Sequence, residues 1–362
     1  MKITLPPGLI EATRLTKAGR LTDATAALQR MLNGKAASAS PSAQARRSPP
    51  TIDGHAEASA TAKAKPARDA GPGGAGTGGA KFLAASFSNP AGVRSYKLYV
   101  PGGYHGQPVP LIVMLHGCTQ SPDDFAAGTR MNEAAEEHTC LVAYPAQTKS
   151  ANMQKCWNWF SEADQRRDAG EPSLIAGITR DVMRAYAVDP RRVYVAGLSA
   201  GGAAAAIMGE AYPDLYAAIG VHSGLACGAA RDMPSAFGAM QRGSAGAAHR
   251  AGHRVVPAIV FHGDRDTTVN PRNGDAVVKQ STQATALKKR TEAGRAPGGH
   301  AYDRTWFEDA AGQAVIEQWT IHGAGHAWSG GSSAGSYTDP QGPDATREML
   351  RFFLEHPQPI AT

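Results

Sequence analysis

The run Val193-Tyr-Val-Ala-Gly-Leu-Ser-Ala-Gly-Gly202 constrains this chain most. Its β-branched and apolar residues stop at Gly197-Leu-Ser-Ala-Gly201, and an Ala-rich stretch follows to about Glu210. A buried strand that turns directly into a helix forces the residue at the corner into strained backbone angles. Glycines two residues to either side remove the side chains that would collide between strand and helix. Ser199 is therefore predicted to stand exposed at a helix N-terminus, where free N–H groups favour a developing negative charge. As a bare pattern G-x-S-x-G is weak in a chain with 41 glycines; its place between strand and helix makes it informative.

The remainder divides into three segments. Residues 1–33 read as a helical hairpin broken at Gly19, with Leu9, Ile10, Leu15, Leu21, Leu28, Met31 and Leu32 as an imperfect apolar stripe. Residues 34–80 are Ala, Gly, Ser and Pro with scattered charges, a composition that buries too little apolar area to offset ordering; a disordered linker is expected. Residues 81–362 form the folded domain. The net charge of +6 sits wholly in the first two segments, +3 in each, and the third is neutral. A neutral domain argues against nucleic acid as a partner, while the basic arm is suited to solubility or to an anionic surface. No apolar run approaches the roughly 18 residues of a membrane span, and the first residues lack the unbroken apolar segment of a secretory signal. A cytoplasmic protein is expected.

In such a reducing compartment the four cysteines, Cys118, Cys140, Cys156 and Cys227, are expected as thiols. They are too few for a disulfide scaffold and lack metal-site spacing. Cys140 reads as a small core residue. Cys118 and Cys156 both fall in loops placed near Ser199, so a bridge between them stays open.

Within the domain, an antiparallel strand pair is predicted over 82–88 and 94–100, then a buried strand over 110–116, a helix over 122–138 and a strand over 141–145. A helix over 173–187 leads into the Val193 strand. Strands over 216–221, 258–262 and 316–321 complete the set, with helices over 275–289 and 343–354. Apolar strands alternating with amphipathic helices specify an α/β fold with a doubly wound, mostly parallel sheet. Such sheets bind ligands at the carboxyl ends of their strands, where each motif below falls.

A serine hydroxyl needs a base, the base needs an orienting carboxylate, and a tetrahedral oxyanion needs donors. The chain offers them in the order Ser, Asp, His of the α/β-hydrolases. Phe261-His-Gly-Asp-Arg-Asp-Thr-Thr-Val269 carries two carboxylates. Asp266 is preferred as the acid because it lies a few residues beyond the strand end; Asp264 is expected to cap a turn and His262 to be structural. His326 in Gly323-Ala-Gly-His-Ala-Trp328 is preferred as the base over His322, which still belongs to the preceding strand. The amides of Cys118, in His116-Gly-Cys-Thr-Gln120, and of Ala200 are the expected oxyanion donors. Trp157, Trp159 and Trp328 fall in the same loops and suggest an apolar substrate cleft. No phosphate loop, dinucleotide fingerprint or zinc ligand set is present, so neither cofactor nor metal is expected.

His116-Gly-Cys-Thr-Gln120, Ser121-Pro-Asp-Asp-Phe125, Cys156-Trp-Asn-Trp159, Gly197-Leu-Ser-Ala-Gly-Gly202, His222-Ser-Gly224 and Gly325-His-Ala-Trp-Ser-Gly330, in this order, resemble the type 1 catalytic domain of short-chain polyhydroxyalkanoate depolymerases, a family related to feruloyl and acetylxylan esterases. The resemblance spans about residues 82–355. It implies a serine hydrolase of poly(3-hydroxybutyrate) or its oligomers, with Ser199, Asp266 and His326 as triad. Secreted members carry a leader and a C-terminal polymer-binding domain. The arrangement here looks instead like an intracellular depolymerase, with residues 1–33 expected to help place it on storage granules. A carbohydrate esterase is the alternative, and a non-catalytic granule protein a more distant one.

Overall fold

The computed structural model describes residues 79–244, 254–282 and 287–359. The hairpin expected over 1–33 and all but the last two residues of the linker expected over 34–80 lie outside them.

Strand β1 (Lys81–Asn89) turns at Asn89–Gly92 and pairs antiparallel with β2 (Gly92–Val100). The chain then builds β3 (Val109–Leu115), helices α1 (Pro122–Thr129) and α2 (Met131–His138), β4 (Leu141–Pro145), α3 (Gly170–Ala185), β5 (Val188–Leu198), α4 (Ala200–Ala211), β6 (Ala218–His222), α5 (Met233–Arg242), β7 (Ala258–Gly263) and α6 (Arg272–Thr282). β8 (Lys288–Arg295), β9 (Ala301–Glu308), β10 (Ala314–Ile321), the short pair β11 (Trp328–Ser329) and β12 (Thr338–Asp339), and α7 (Ala345–Glu355) complete the described elements. One ten-stranded sheet runs in the order β1-β2-β4-β3-β5-β6-β7-β10-β9-β8. Its centre, from β4 to β10, is parallel, and an antiparallel hairpin closes each side.

Alternation along the central strands divides the core between two faces. Leu111, Val113, Val193 and Val195 join one cluster with residues of α3, α4 and α6, whereas Ile112, Met114, Tyr194 and Ala196 join the other with α1, α2 and α7. Both sides of these strands are covered, which is why they read as unbroken apolar runs. The expected α/β-hydrolase architecture is the one observed.

Three local differences have physical causes. The helix expected over 122–138 is two helices, because Arg130 adopts a left-handed φ of 56°. Its N–H caps α1 at the Ala126 carbonyl, and its guanidinium donates to the Gly330 carbonyl at 2.8 Å. Helix α6 is described as far as Thr282, and the β8–β9 hairpin from Lys288 onward, where the last residues of the expected helix fall, was not anticipated. Lys-Lys-Arg-Thr-Glu-Ala-Gly-Arg of β8 has no apolar face; it is an exposed edge strand whose charges discourage pairing with another chain. Helix α5 was also unanticipated, although Asp232 and Ser235 form a reciprocal capping box before its short apolar stripe.

Candidate active site

The corner between β5 and α4 has the geometry its glycines imply. Ser199 sits at φ 58°, ψ −119°, strained for a residue with a side chain. A methyl group on Gly201 would overlap the Leu115 carbonyl, and one on Gly197 would overlap the Gly201 carbonyl. Helix α4 therefore rests directly on the sheet. The Ser199 N–H donates to the His222 carbonyl at 2.9 Å, fixing the corner to the end of β6. Ala200 opens α4, so its N–H is among those that a helix start leaves unpaired.

Strand β7 ends at Gly263, close against Ala324 and Gly325 of the loop after β10. Just beyond it, the Asp266 side chain is fully buried. Oδ1 accepts the Thr268 and Val269 N–H groups at 2.9 and 2.8 Å, and Oδ2 accepts His326 Nδ1–H at 2.7 Å. Burial pushes this carboxyl up, but hydrogen bonds from His262 and His326 and from the Val269 amide outweigh it and hold it well below the usual carboxylate range. With its proton directed at Asp266, His326 leaves Nε2 as the ring nitrogen able to accept a proton.

Asp264 and His322, the other acid and base candidates, form their own pair. His322 Nδ1 lies 3.0 Å from Asp264 Oδ2, and its Nε2 lies 3.2 Å from Asp303. Both side chains are substantially exposed, and Asp264 also accepts the Gly323 N–H. The hydrogen bonds that His322 donates to these carboxylates raise its pKa, the one to Asp264 most.

His116 organises the loop of Cys118. Its Nδ1–H donates to the Gly117 carbonyl at 2.7 Å, and its Nε2 accepts the Gln147 N–H at 3.1 Å. In a trans peptide the Cys118 N–H points opposite to the Gly117 carbonyl, so tethering the carbonyl aims the N–H. Gly117 lies beside Ser199: a methyl group on it would come 3.6 Å from the Ser199 Cβ.

Two sequence expectations are corrected. Cys118 and Cys156 are not thiols but a disulfide, with Cα atoms 4.2 Å apart. The chain folds the two loops together through the Trp157 indole, which donates to the His116 carbonyl at 3.0 Å, and through Gln154, whose carbonyl accepts the Thr119 N–H. Cys140 is a buried thiol, pushed up to about 12 by burial. The second correction concerns the tryptophans. Trp157 and Trp328 are fully enclosed and Trp159 is 6% exposed, so they frame the site from within and do not line an open cleft. A buried indole N–H must find an acceptor; Trp328 uses the Thr346 hydroxyl at 3.0 Å.

Sequence reasoning missed one supporting histidine, His222. His262, expected to be structural, is buried with its Nε2 2.9 Å from the Val269 carbonyl and 3.4 Å from Asp266 Oδ2, where it steadies the turn of Asp266. His222 receives the Ser199 N–H on its carbonyl, while its ring Nε2 accepts the Ser329 N–H at 2.9 Å, three residues beyond His326, and stacks on Trp328. It thereby ties the serine corner to the histidine loop. The motif His222-Ser-Gly224 was visible, but only the fold assigns it this position.

The rings of His116 and His222 accept hydrogen bonds that only neutral imidazole can accept. Burial pushes His116 down to about 4 and His222 to about 3, the latter helped by the charges of His262 and His326. An unfolded histidine titrates near 6.5. Below that pH the unfolded chain takes up protons that the folded chain refuses, so stability falls on acidification, by up to about 1.4 kcal/mol per pH unit for each ring. The exposed His322, whose folded pKa is raised, opposes this weakly. Urea unfolding at pH 5.5 is expected to give about 2–3 kcal/mol less stability than at pH 7, and His222→Gln to remove part of that difference. Equal stability at the two pH values would rule out the neutral rings.

Comparison with known proteins decides the family. The family described as Esterase PHB depolymerase matches residues 94–302, more than half of the chain. The chain belongs to this family. Among its relatives, poly(3-hydroxyalkanoate) depolymerase C of Paucimonas lemoignei is 32% identical over 250 residues, 66% of this chain and 59% of that protein. The chain thus spans less than two thirds of that depolymerase. Feruloyl esterase B of Neurospora crassa is 28% identical over 62% of this chain and 80% of its own length. An acetyl xylan esterase structure from Aspergillus awamori superposes with a TM-score of 0.61 at 21% identity, covering 77% of this chain and all of that one, and establishes the shared fold. Among the described residues no helix is long and apolar enough to cross a membrane.

Proposed function

We propose that this member of the PHB depolymerase esterase family hydrolyses carboxylic esters through an acyl-enzyme on Ser199. The buried Asp266–His326 hydrogen bond is the observation that carries the reading, because it orients an imidazole whose free nitrogen can serve the strained serine next to His222. His326 Nε2 takes the Ser199 proton as Oγ bonds to the ester carbonyl carbon. The carbonyl π electrons move to oxygen, and the Cys118 and Ala200 N–H groups receive that oxyanion. Collapse breaks the bond to the alkoxy oxygen, which leaves with the proton from His326. Water then repeats the sequence on the acyl-enzyme, giving the carboxylic acid and free Ser199. This cycle uses no cofactor and no metal.

For the substrate, the family and its depolymerase relative favour poly(3-hydroxybutyrate) or its oligomers. Two large apolar side chains beside the Cys118 loop suit a polyester. Met153 is 74% exposed and Tyr337 47%, and the Tyr337 hydroxyl lies 3.4 Å from that of Thr119. Amorphous storage granules in the cytoplasm, approached through residues 1–33, remain the proposed setting. The Cys118–Cys156 bridge favours a second reading: disulfides persist in oxidising compartments, where a feruloyl or acetylxylan-type esterase would meet plant polymer. Purified protein incubated separately with amorphous granules, crystalline polymer and methyl ferulate separates the two. Hydroxybutyrate or its oligomers are expected from the granules; ferulate release with inert granules would move the substrate to carbohydrate esters.

A further inference from the structure

Glu171 is a carboxylate that the acyl-transfer cycle does not use. It lies in the first turn of α3 and is 6% exposed. A carboxylate survives burial only where donors saturate it. Its Oε2 accepts the Asn158 backbone N–H at 2.7 Å, and its Oε1 accepts Asn158 Nδ2 at 2.7 Å and Gln147 Nε2. An Arg94 nitrogen stands 3.6 Å away. Burial raises the Glu171 pKa, and the bonds from Asn158 and Gln147 oppose that rise.

Apart from Arg94, the groups that bind the Glu171 carboxylate belong to the two segments that support the Cys118 loop. Gln147 Nε2 also donates to the Cys156 carbonyl at 2.9 Å, while the Gln147 N–H donates to His116 Nε2. Trp157, between Cys156 and Asn158, holds the His116 carbonyl, and Cys156 is bonded to Cys118. The routes from Glu171 converge on residues 116–118: through Gln147 on the His116 ring that grips the Gly117 carbonyl, through Trp157 on the His116 carbonyl, and through Cys156 on the Cys118 side chain. We propose that Glu171 is a positioning residue for ester hydrolysis, holding the Cys118 N–H on the substrate oxyanion from outside the site. This rests on the assignment of that N–H as an oxyanion donor.

The carboxylate form matters because every group that hydrogen-bonds its oxygens is a donor, while the Asp164 carboxylate, held by the Glu171 N–H, only repels its charge. Glutamine at this position keeps the shape but turns an N–H group toward Asn158 or Gln147, and two donors cannot share a hydrogen bond. The segments must shift to relieve the clash. An oxyanion donor loses its value once it leaves the narrow distance range that fits the transition state.

Glu171→Gln is therefore expected to lower kcat per active site by roughly 10- to 100-fold, the effect typical of groups that orient a catalytic ligand. KM for a soluble ester should stay unchanged. Affinity for a boronic acid, which forms a tetrahedral adduct on Ser199, should fall by the same factor as kcat. Active sites are counted by labelling with a fluorophosphonate. A merely structural role would lower the melting temperature and the fraction of protein labelled, but leave kcat per labelled site and boronate affinity at parent values; that result overturns the proposal. Should Glu171→Gln not fold, Gln147→Met cuts the side-chain links and keeps the backbone N–H to His116. It is expected to give the same split between kcat and KM, and parent values there overturn the proposal equally. A parent enzyme not labelled at Ser199 would instead overturn the reading of the site on which the proposal stands.

Discussion

Ser199→Ala is expected to abolish nearly all turnover, with kcat falling on the order of 10⁶-fold, as removal of a triad nucleophile does in serine hydrolases. The fold should survive, because the strain at this position is held by the backbone: the Ser199 N–H bond to His222 and the close seating of α4 on β3 and β5 do not involve the hydroxyl. Alanine tolerates positive φ no better than serine, so the corner keeps its cost and the melting temperature should barely move. Without Oγ no acyl-enzyme forms, and the residual rate would come only from the oxyanion donors and substrate positioning acting on water. A soluble ester assay with quantitative fluorophosphonate labelling checks both points. Retained turnover would require another nucleophile, and lost labelling in an otherwise folded variant would place the covalent step at Ser199.

The parts of this site that could be read from sequence are those in which one residue type meets one local requirement. The glycines around Ser199 are needed because α4 touches the strands, and the apolar runs of β3 and β5 follow from burial on both faces. The Asp and His candidates stand at strand ends because that is where a parallel sheet opens. What escaped depends on contacts between distant segments. Glu171 and Gln147 lie 24 residues apart and carry no motif, yet their hydrogen bond underpins the Cys118 loop. Tryptophans near a reactive serine suggest a cleft until the hydrogen bonds of Trp157 and Trp328 turn them inward. The Cys118–Cys156 bridge, whose partners lie 38 positions apart in sequence, needed the loop geometry to become visible. Strand β8 left no periodic signal because an edge strand with charged side chains has no face to bury.

Asp266→Asn should separate the two Asp–His pairs by their effects. The buried carboxylate accepts four donors: two backbone amides on Oδ1, with His326 Nδ1–H and the more distant His262 on Oδ2. Asparagine supplies one oxygen and one NH₂. If the oxygen keeps the Thr268 and Val269 amides, the NH₂ faces His326 Nδ1 and favours the tautomer with its proton on Nε2, where it blocks the base. If the oxygen faces His326, the NH₂ meets two backbone donors and the turn must open. Either arrangement also removes the charge that stabilises the imidazolium formed during acyl transfer, and kcat is expected to fall by about 10⁴-fold, the size of effect seen when a triad carboxylate becomes an amide. Asp264→Asn provides the contrast. Its partner His322 is exposed and also faces Asp303, so solvent and the second carboxylate compensate and turnover should change little. Steady-state kinetics on one soluble ester, with active sites counted in each variant, decide between the pairs. A large loss in Asp264→Asn with a small one in Asp266→Asn would exchange their roles and make His322 the base. The pH dependence of the Asp266→Asn variant adds a second check. With the tautomer wrong, the remaining rate should depend on hydroxide and keep rising at alkaline pH, where the parent enzyme is expected to level off.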